Sequence, residues 1–316
     1  MNSLFEELNK VATEAAGHEN MLDDSHFYDF LDNIYGHFMK DKFRRMFLNG
    51  SGNELLGKAA AVHSSSMLAY NFFHWISEET PLKLNGVTYS KVNFEVHLPV
   101  LRGTTPSNMD VILDGKDATG ERFLLFIESK FTEYFSDSSS TGSLEKMTHN
   151  SYSNLKKYFA DESEAEKWKN LIKDTLEDCP EKGYFDGIKQ EICHLIALFN
   201  LKNSPEARNH YKDRLYSNKD VEHPVIDGSE KFIYYNLLYK PSEKFKDESK
   251  LFDNYCGLFK NLKKRLTDNE LSPSFEIDLK SYGDLWPRVK ESIRDQELVQ
   301  YLSTRYMAFE AVNDNQ

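Results

Sequence analysis

One short segment constrains the fold of this chain more than any other, the run Arg-Phe-Leu-Leu-Phe-Ile-Glu-Ser-Lys-Phe over residues 122–131. Its residues 123–127 are all apolar, so a strand formed here would have no polar face to turn toward water. Such a strand is typical of the centre of a sheet that is covered on both sides. We therefore expect a layered α/β architecture in which helices pack on both faces of a sheet.

The residues before this run change from a helical to a strand period. In residues 54–76, apolar and small residues recur alternately four and three positions apart, which predicts an amphipathic helix. In residues 92–100, valine, phenylalanine and leucine alternate with Asn93, Glu95 and His97, which predicts a strand with one buried face. A short apolar strand follows over residues 109–113, and the turn-like Asp114 and Gly115 after it favour a hairpin with the central strand.

The rest of the chain is predominantly helical. Helices are predicted at 144–160, at 163–177 and at 186–201, where isoleucine, leucine and phenylalanine form an apolar stripe. Residues 231–239 read as a strand and residues 275–279 as a short one, while residues 1–48 read as helical. The fold prediction is α/β, with a mixed central sheet flanked by helices in the order α-β-β-β-α-β. The predicted parts are a helical addition (1–50), the core (51–240) and a mainly helical addition (241–316).

Bulk properties limit the classes of protein. The composition is that of a globular chain, with 40% hydrophobic and 28% charged residues. Three scattered cysteines without a Cys-x-x-Cys pair argue against a disulfide framework and fit a reducing cytoplasm. The uncharged stretch 59–77 holds histidines and serines and is too polar for a membrane span, and no signal peptide is apparent, so we expect a cytoplasmic protein without a membrane partner.

The residue types that carry chemistry lie at the end of the central strand. Glu128 and Lys130 are two positions apart, so in a strand both side chains project from the same face. Asp110 lies near the start of the preceding strand and can come to lie across from Glu128. Two converging carboxylates with a lysine beside them form a hard oxygen site suited to Mg²⁺. Taken alone, Glu-x-Lys is also a common surface ion pair.

This order of elements and residues resembles the PD-(D/E)XK superfamily of restriction-endonuclease-like nucleases, and more narrowly a bacterial restriction-endonuclease family. The helix carries the segment His63-Ser64-Ser65-Ser66, followed by Asn71-Phe72-Phe73. The chain departs from the pattern in that Pro106 does not directly precede Asp110. The resemblance implies a catalytic set of Asp110, Glu128 and Lys130, and Mg²⁺ or Mn²⁺ held by Asp110, Glu128 and the carbonyl of Ser129.

Two further site residues are implied by the resemblance. Members often place a glutamate on the first core helix, where Glu54 is the nearest match, although an i,i+4 pair with Lys58 explains Glu54 equally well. Many also carry a glutamine on the helix after the catalytic strands, which Gln190 matches. His194, one turn further, fits a solvated helix face better than a role in the site.

The resulting hypothesis is a metal-dependent endonuclease that acts on DNA in restriction or defence, working as a homodimer if it cuts both strands. Two alternatives are a non-catalytic nucleic-acid-binding module on the same fold and a phosphodiesterase that acts on RNA or nucleotides. The net charge of −12 opposes binding to nucleic acid. Local basic groups offset it, and they consist of Lys40, Lys42, Arg44 and Arg45; Lys156 and Lys157; and Lys260, Lys263, Lys264 and Arg265.

Overall fold

The computed structural model describes residues 3–50, 55, 57–100, 106–135, 162–178, 185–216, 221–271 and 274–311. The strands in these ranges are β1 (Met21–Asp23), β2 (His26–Phe27), β3 (Leu82–Leu84), β4 (Val87–Leu98), β5 (Ser107–Asp117), β6 (Arg122–Lys130), β7 (Lys231–Leu238) and β8 (Glu276–Ser281). The α-helices are α1 (Leu4–Ala16), α2 (Asp41–Asn49), α3 (Ser65–Phe73), α4 (Glu162–Asp178), α5 (Phe185–Asn203), α6 (Pro205–Tyr216), α7 (Lys246–Asp268), α8 (Tyr282–Ser292) and α9 (Gln296–Arg305).

Six strands form a mixed sheet in the order β3-β4-β5-β6-β7-β8. The pairs from β3 to β6 are antiparallel, while β6 pairs with β7, and β7 with β8, in parallel. Strand β6 therefore has a neighbour on each side, as its continuous apolar run predicts. The predicted fold class, a mixed central sheet flanked by helices, is confirmed.

The two faces of the sheet bury two separate hydrophobic cores. Leu125 and Ile127 pack on one face with residues of α3 and α8. Leu124 and Phe126 pack on the other face, with residues of α4, α5 and α7. Successive side chains of a strand point to opposite faces, which is why one apolar run can supply both cores.

Helix α3 is shorter than the helix predicted over residues 54–76, and the prediction is wrong at its amino end. The α-helix begins at Ser65, because the Ser64 side chain accepts a hydrogen bond from the backbone N–H of Met67 at 3.3 Å and caps it. Upstream, residues Lys58–Ala60 form a single 3-10 turn. The apolar period continues through this region, but a capping serine interrupts the helical backbone.

Strand β4 is buried on both faces over part of its length, contrary to the alternation expected from its sequence. Asn93 and Glu95 are 6% and 5% exposed, although both were expected on the solvent side. The Asn93 amide donates a hydrogen bond to the carbonyl oxygen of Glu222 at 2.7 Å. Segments distant in the sequence cover this face, so the polar residues of β4 lie inside the protein.

Other boundaries differ by less. Strand β5 continues through Asp114 and Gly115 to Asp117, so the turn to β6 comes later than predicted. The amino-terminal part contains the β1-β2 hairpin besides its helices, and α6 was not predicted. The predicted helix at 144–160 lies outside the described residues. The limits of the three parts, 1–50, 51–240 and 241–316, stay predictions. None of the helices within the described ranges has the length and apolar character needed to cross a lipid bilayer.

Candidate active site

Asp110 lies where the ladder between β5 and β6 ends. The last pair of that ladder is Val111 with Ile127, so Asp110 is one position beyond it, on the side of Glu128. Beyond the last pair, the backbone N–H of Ser129 donates a hydrogen bond to the side chain of Asp110, at its Oδ2, over 2.7 Å. This bond fixes Asp110 against the end of β6, where the sequence predicted that it would meet Glu128.

Glu128 and Lys130 project together from β6, and helix α5 closes over them. Lys130 Nζ lies 2.5 Å from Glu128 Oε1 and donates a second hydrogen bond to Gln190 Oε1 at 2.7 Å. Glu128 is 1% exposed and Lys130 is 8% exposed. The predicted residues Glu128, Lys130 and Gln190 therefore form one hydrogen-bonded group. A buried pair of this kind is costly unless it is hydrogen-bonded, and Lys130 makes two such bonds here.

His194 also faces this group, so its expected place on a solvated helix face is wrong. The side chain is fully buried, with Nε2 2.7 Å from Glu128 Oε2 and Nδ1 2.7 Å from Ser107 Oγ. Gln190 and His194 are four residues apart on α5, which places them on one side of the helix. The side of α5 that carries Gln190 and His194 therefore faces the sheet, in addition to the apolar stripe of the helix.

The charges in the site are unequal. Burial acts to raise the pKa of Glu128, but the charge of Lys130 and the contact with His194 outweigh it and lower that pKa to about 2. Burial acts to lower the pKa of Lys130, but Glu128 raises it above its usual value. For Asp110, burial and then the negative charge of Glu128 raise the pKa well above its usual value. The site thus holds an ion pair beside a carboxyl group whose pKa is raised.

Glu95 is a third acidic residue near this group, and the sequence analysis missed it. It lies on β4 between Phe94 and Val96, which pair with Val111 and Met109 on either side of Asp110. Its Oε2 accepts a hydrogen bond from the Asn108 amide at 3.3 Å, and its charge contributes to the raised pKa of Asp110. The strand alternation placed Glu95 on an exposed face, which concealed its proximity to the site.

The site opens into a cavity of about 720 Å³. Asp110, Glu128 and Lys130 lie along it, as do the three serines at the amino end of α3, whose backbone N–H groups favour anionic groups. The lining residues are His26, Gly57, Lys58, Ala61, His63, Ser64, Ser65, Ser66, Asp110, Glu128, Ser129, Lys130, Glu133 and Gln190.

Two carboxyl groups, those of Asp110 and Glu128, lie in the site, and Mg²⁺ is commonly held by one or two carboxylates and several water ligands. Within the ranges that the structure describes, no group of three or more His, Cys, Asp and Glu side chains could hold a metal ion. A cation held by Asp110 and Glu128 therefore stays a prediction. The Ser129 hydroxyl contacts Tyr282 Oη at 2.7 Å, while the metal role of its carbonyl stays a prediction. Glu54 lies outside the described residues.

Comparison with known proteins finds a family match for part of the chain. No curated protein and no solved structure matches the chain. Residues 34–181, which include Asp110, Glu128 and Lys130 but end before Gln190 and His194, match the model of a protein family described as Restriction Endonuclease associating with ARP. The resemblance to restriction-endonuclease-like proteins is thereby confirmed, and this part of the chain is similar to a restriction-endonuclease-associated family.

Proposed function

We propose that this protein is a Mg²⁺-dependent endonuclease, with Mn²⁺ as a substitute, that hydrolyses phosphodiester bonds of DNA in the cytoplasm. The observation that carries the proposal is the meeting of Asp110, Glu128 and Lys130 at the end of β6, beside an open cavity. The match to a restriction-endonuclease-associated family favours nucleic acid over other phosphodiesters.

Asp110 and Glu128 would hold the cation, together with the Ser129 carbonyl. When bound, a divalent cation supplies charge neutralisation at the phosphate and lowers the pKa of a coordinated water. Such a charge would also lower the raised pKa of Asp110, since a positive charge nearby favours the charged form of a carboxyl group. Glu128 already carries its charge, because Lys130 stabilises it.

Lys130 would stabilise negative charge rather than remove a proton. The raised pKa keeps its ammonium group protonated at neutral pH, so it has no lone pair with which to act as a base. Gln190 holds the same nitrogen from α5 and limits the positions that it can take. From there Lys130 can donate hydrogen bonds to the attacking water and to the charge that develops on the phosphate.

Cleavage of supercoiled plasmid in the presence of Mg²⁺ tests this proposal. We expect wild type to convert the plasmid to nicked or linear forms and EDTA to stop the reaction. Lys130→Ala should reduce the rate by about 10²–10³-fold, the usual effect of removing one group that stabilises the transition state. Asp110→Asn should reduce it similarly and should also weaken Mn²⁺ binding measured by calorimetry.

A matched control is Lys231→Ala. Lys231 lies half-exposed on β7 beside Phe123, at the opposite end of β6 from Lys130. The Lys231→Ala variant should therefore cleave the plasmid at the wild-type rate. Equal cleavage by wild type and Lys130→Ala, or cleavage that persists in EDTA, would contradict the proposal. A plasmid that stays intact while Mn²⁺ still binds through Asp110 would point instead to the non-catalytic alternative.

A further inference from the structure

A buried histidine lies behind the candidate site and has no part in the hydrolysis described above. His194 is fully buried, and its Nε2 lies 2.7 Å from Glu128 Oε2. Its other ring nitrogen, Nδ1, lies 2.7 Å from the hydroxyl of Ser107 at the start of β5. The three side chains form a line from β5 through α5 to β6.

The contacts of Glu128 divide between its two oxygens. Lys130 Nζ is 2.5 Å from Oε1, and His194 Nε2 is 2.7 Å from Oε2. A carboxylate held at one oxygen can still rotate about its last bond, whereas one held at both oxygens cannot. Gln190 holds Lys130 from the same side of α5, so one helix fixes both members of the ion pair.

Hydrogen-bond chemistry assigns the roles of the two ring nitrogens. His194 Nε2 and Glu128 Oε2 lie within ion-pair distance at 2.7 Å, and because a charged carboxylate has no proton to offer, the proton that faces it belongs to Nε2. In a neutral ring, Nδ1 is then the acceptor and the Ser107 hydroxyl is the donor. Ser107 therefore selects the ring form that can bind Glu128, as a carboxylate or carbonyl does for histidines at metal sites.

We infer that His194, held by Ser107, is a positioning residue that sets the orientation of the Glu128 carboxylate for divalent-cation binding. The inference rests on the proposed function only in that Glu128 is taken as a cation ligand. Its chemical basis is that groups that orient a metal ligand affect cation affinity about 10–100-fold without touching the ion. A histidine that only filled the core would affect stability and leave affinity unchanged.

The test compares Mn²⁺ affinity, measured by calorimetry on the full chain, between two substitutions at position 194. His194→Phe keeps a ring but removes the donor, and we expect Mn²⁺ to bind about 10–100-fold more weakly. His194→Gln retains an N–H donor at a similar reach and should restore affinity to within a few-fold of wild type. Thermal unfolding of both variants separates this effect from a loss of stability.

Ser107→Ala provides a second test, in case a substitution at the buried ring prevents folding. It leaves His194 and Glu128 intact but removes the partner of Nδ1, so it should weaken Mn²⁺ binding by several-fold, and Ser107→Thr should reverse this loss. His74→Phe is the control for loss of a histidine, because His74 directly follows α3 and its ring contacts the Tyr70 carbonyl instead. It should leave the affinity unchanged.

Wild-type affinity in both His194→Phe and Ser107→Ala would overturn the inference, as would equal losses in His194→Phe and His194→Gln. Absence of Mn²⁺ binding to wild type would also overturn it. These outcomes differ from a failure of the proposed function, since binding that depends on His194 in a protein that leaves DNA intact would refute cleavage and preserve the positioning role.

Discussion

At the scale of single residues, neighbouring carboxyl groups differ in charge. Glu128 is charged because Lys130 lies against it, whereas Glu191, the residue after Gln190 on α5, is hydrogen-bonded to neutral groups. Glu191 is fully buried and bonds to the hydroxyl groups of Tyr234 and Tyr255. Burial and then the charge of Glu128 raise its pKa to about 8, so Glu191 is neutral at pH 7. Environment alone thus separates chemically identical groups into a charged and a neutral form.

The neutral state of Glu191 makes stability depend on pH. Its folded pKa of about 8 lies above the usual value of 4.5, so the folded state keeps the proton over that interval while the unfolded state releases it. Stability should therefore fall as pH rises from about 5 to 8. Glu191→Gln removes this dependence. From pH 5 to pH 8, the free energy of unfolding of the variant should therefore rise by about 1–3 kcal/mol relative to that of wild type.

Urea unfolding of both proteins at pH 5, 6.5 and 8 measures this gain. If the difference in unfolding free energy between the two proteins is the same at all three pH values, Glu191 is already ionised in the folded protein. Glu6→Gln is a suitable control, because Glu6 lies exposed on α1 and its replacement should leave the pH dependence unchanged.

At the scale of elements, strands β4 and β5 approach closely at Gly115. A Cβ added there would lie 2.5 Å from the Thr88 carbonyl oxygen and 2.8 Å from the Cα of Tyr89, both of them backbone atoms. The register of β4 also shifts between Tyr89 and Lys91. Glycine is required because the neighbouring backbone leaves no space for a side chain.

Gly115→Ala should therefore destabilise the protein by about 1–3 kcal/mol, as overpacking does in a sheet that cannot yield. The matched control is Gly257→Ala on α7, where an added Cβ meets no atom within 4 Å. That substitution should stabilise by about 0.5–1 kcal/mol, because alanine favours a helix more than glycine does. Denaturant unfolding of the two variants should give shifts of opposite sign, and equal shifts would contradict the packing described at Gly115.

The parts of the fold that the sequence predicted are those whose signal is local. The apolar run of β6 and the apolar stripe of α5 each specify their element from adjacent residues, and Asp110, Glu128 and Lys130 follow from the strand spacing. His194 is buried in contact with Ser107, which lies 87 positions away in the sequence. Glu95 was likewise missed, because its burial comes from packing between elements. Positions of this kind carry no local signal.

At the scale of the whole molecule, the net charge of −12 opposes an approach to DNA, so the proposed binding would depend on local basic groups. One such group is Lys40, Lys42, Arg44 and Arg45, whose side chains are exposed at and within α2 while Phe43, Met46 and Phe47 face the core. A few contacts between these basic residues and phosphates would have to overcome the repulsion between the acidic protein and DNA. We therefore expect a weak affinity for DNA that depends steeply on ionic strength.

Fluorescence anisotropy with a labelled duplex checks this prediction. We use Asp110→Asn so that the duplex stays intact, and expect affinity to fall by about tenfold or more between 50 and 200 mM salt. Replacing Lys42, Arg44 and Arg45 together with alanine should weaken binding and flatten the salt dependence. Affinity that is constant over this range would exclude a groove that contacts phosphates.

Whether Asp110 and Glu128 hold a divalent cation together can be seen by anomalous diffraction from crystals soaked in Mn²⁺. We expect an anomalous peak at the end of β6, with carboxylate oxygens of both residues about 2.0–2.6 Å from it, and no peak there in Asp110→Asn crystals. A peak elsewhere, or an ion that contacts neither carboxylate, would refute the proposed cation site.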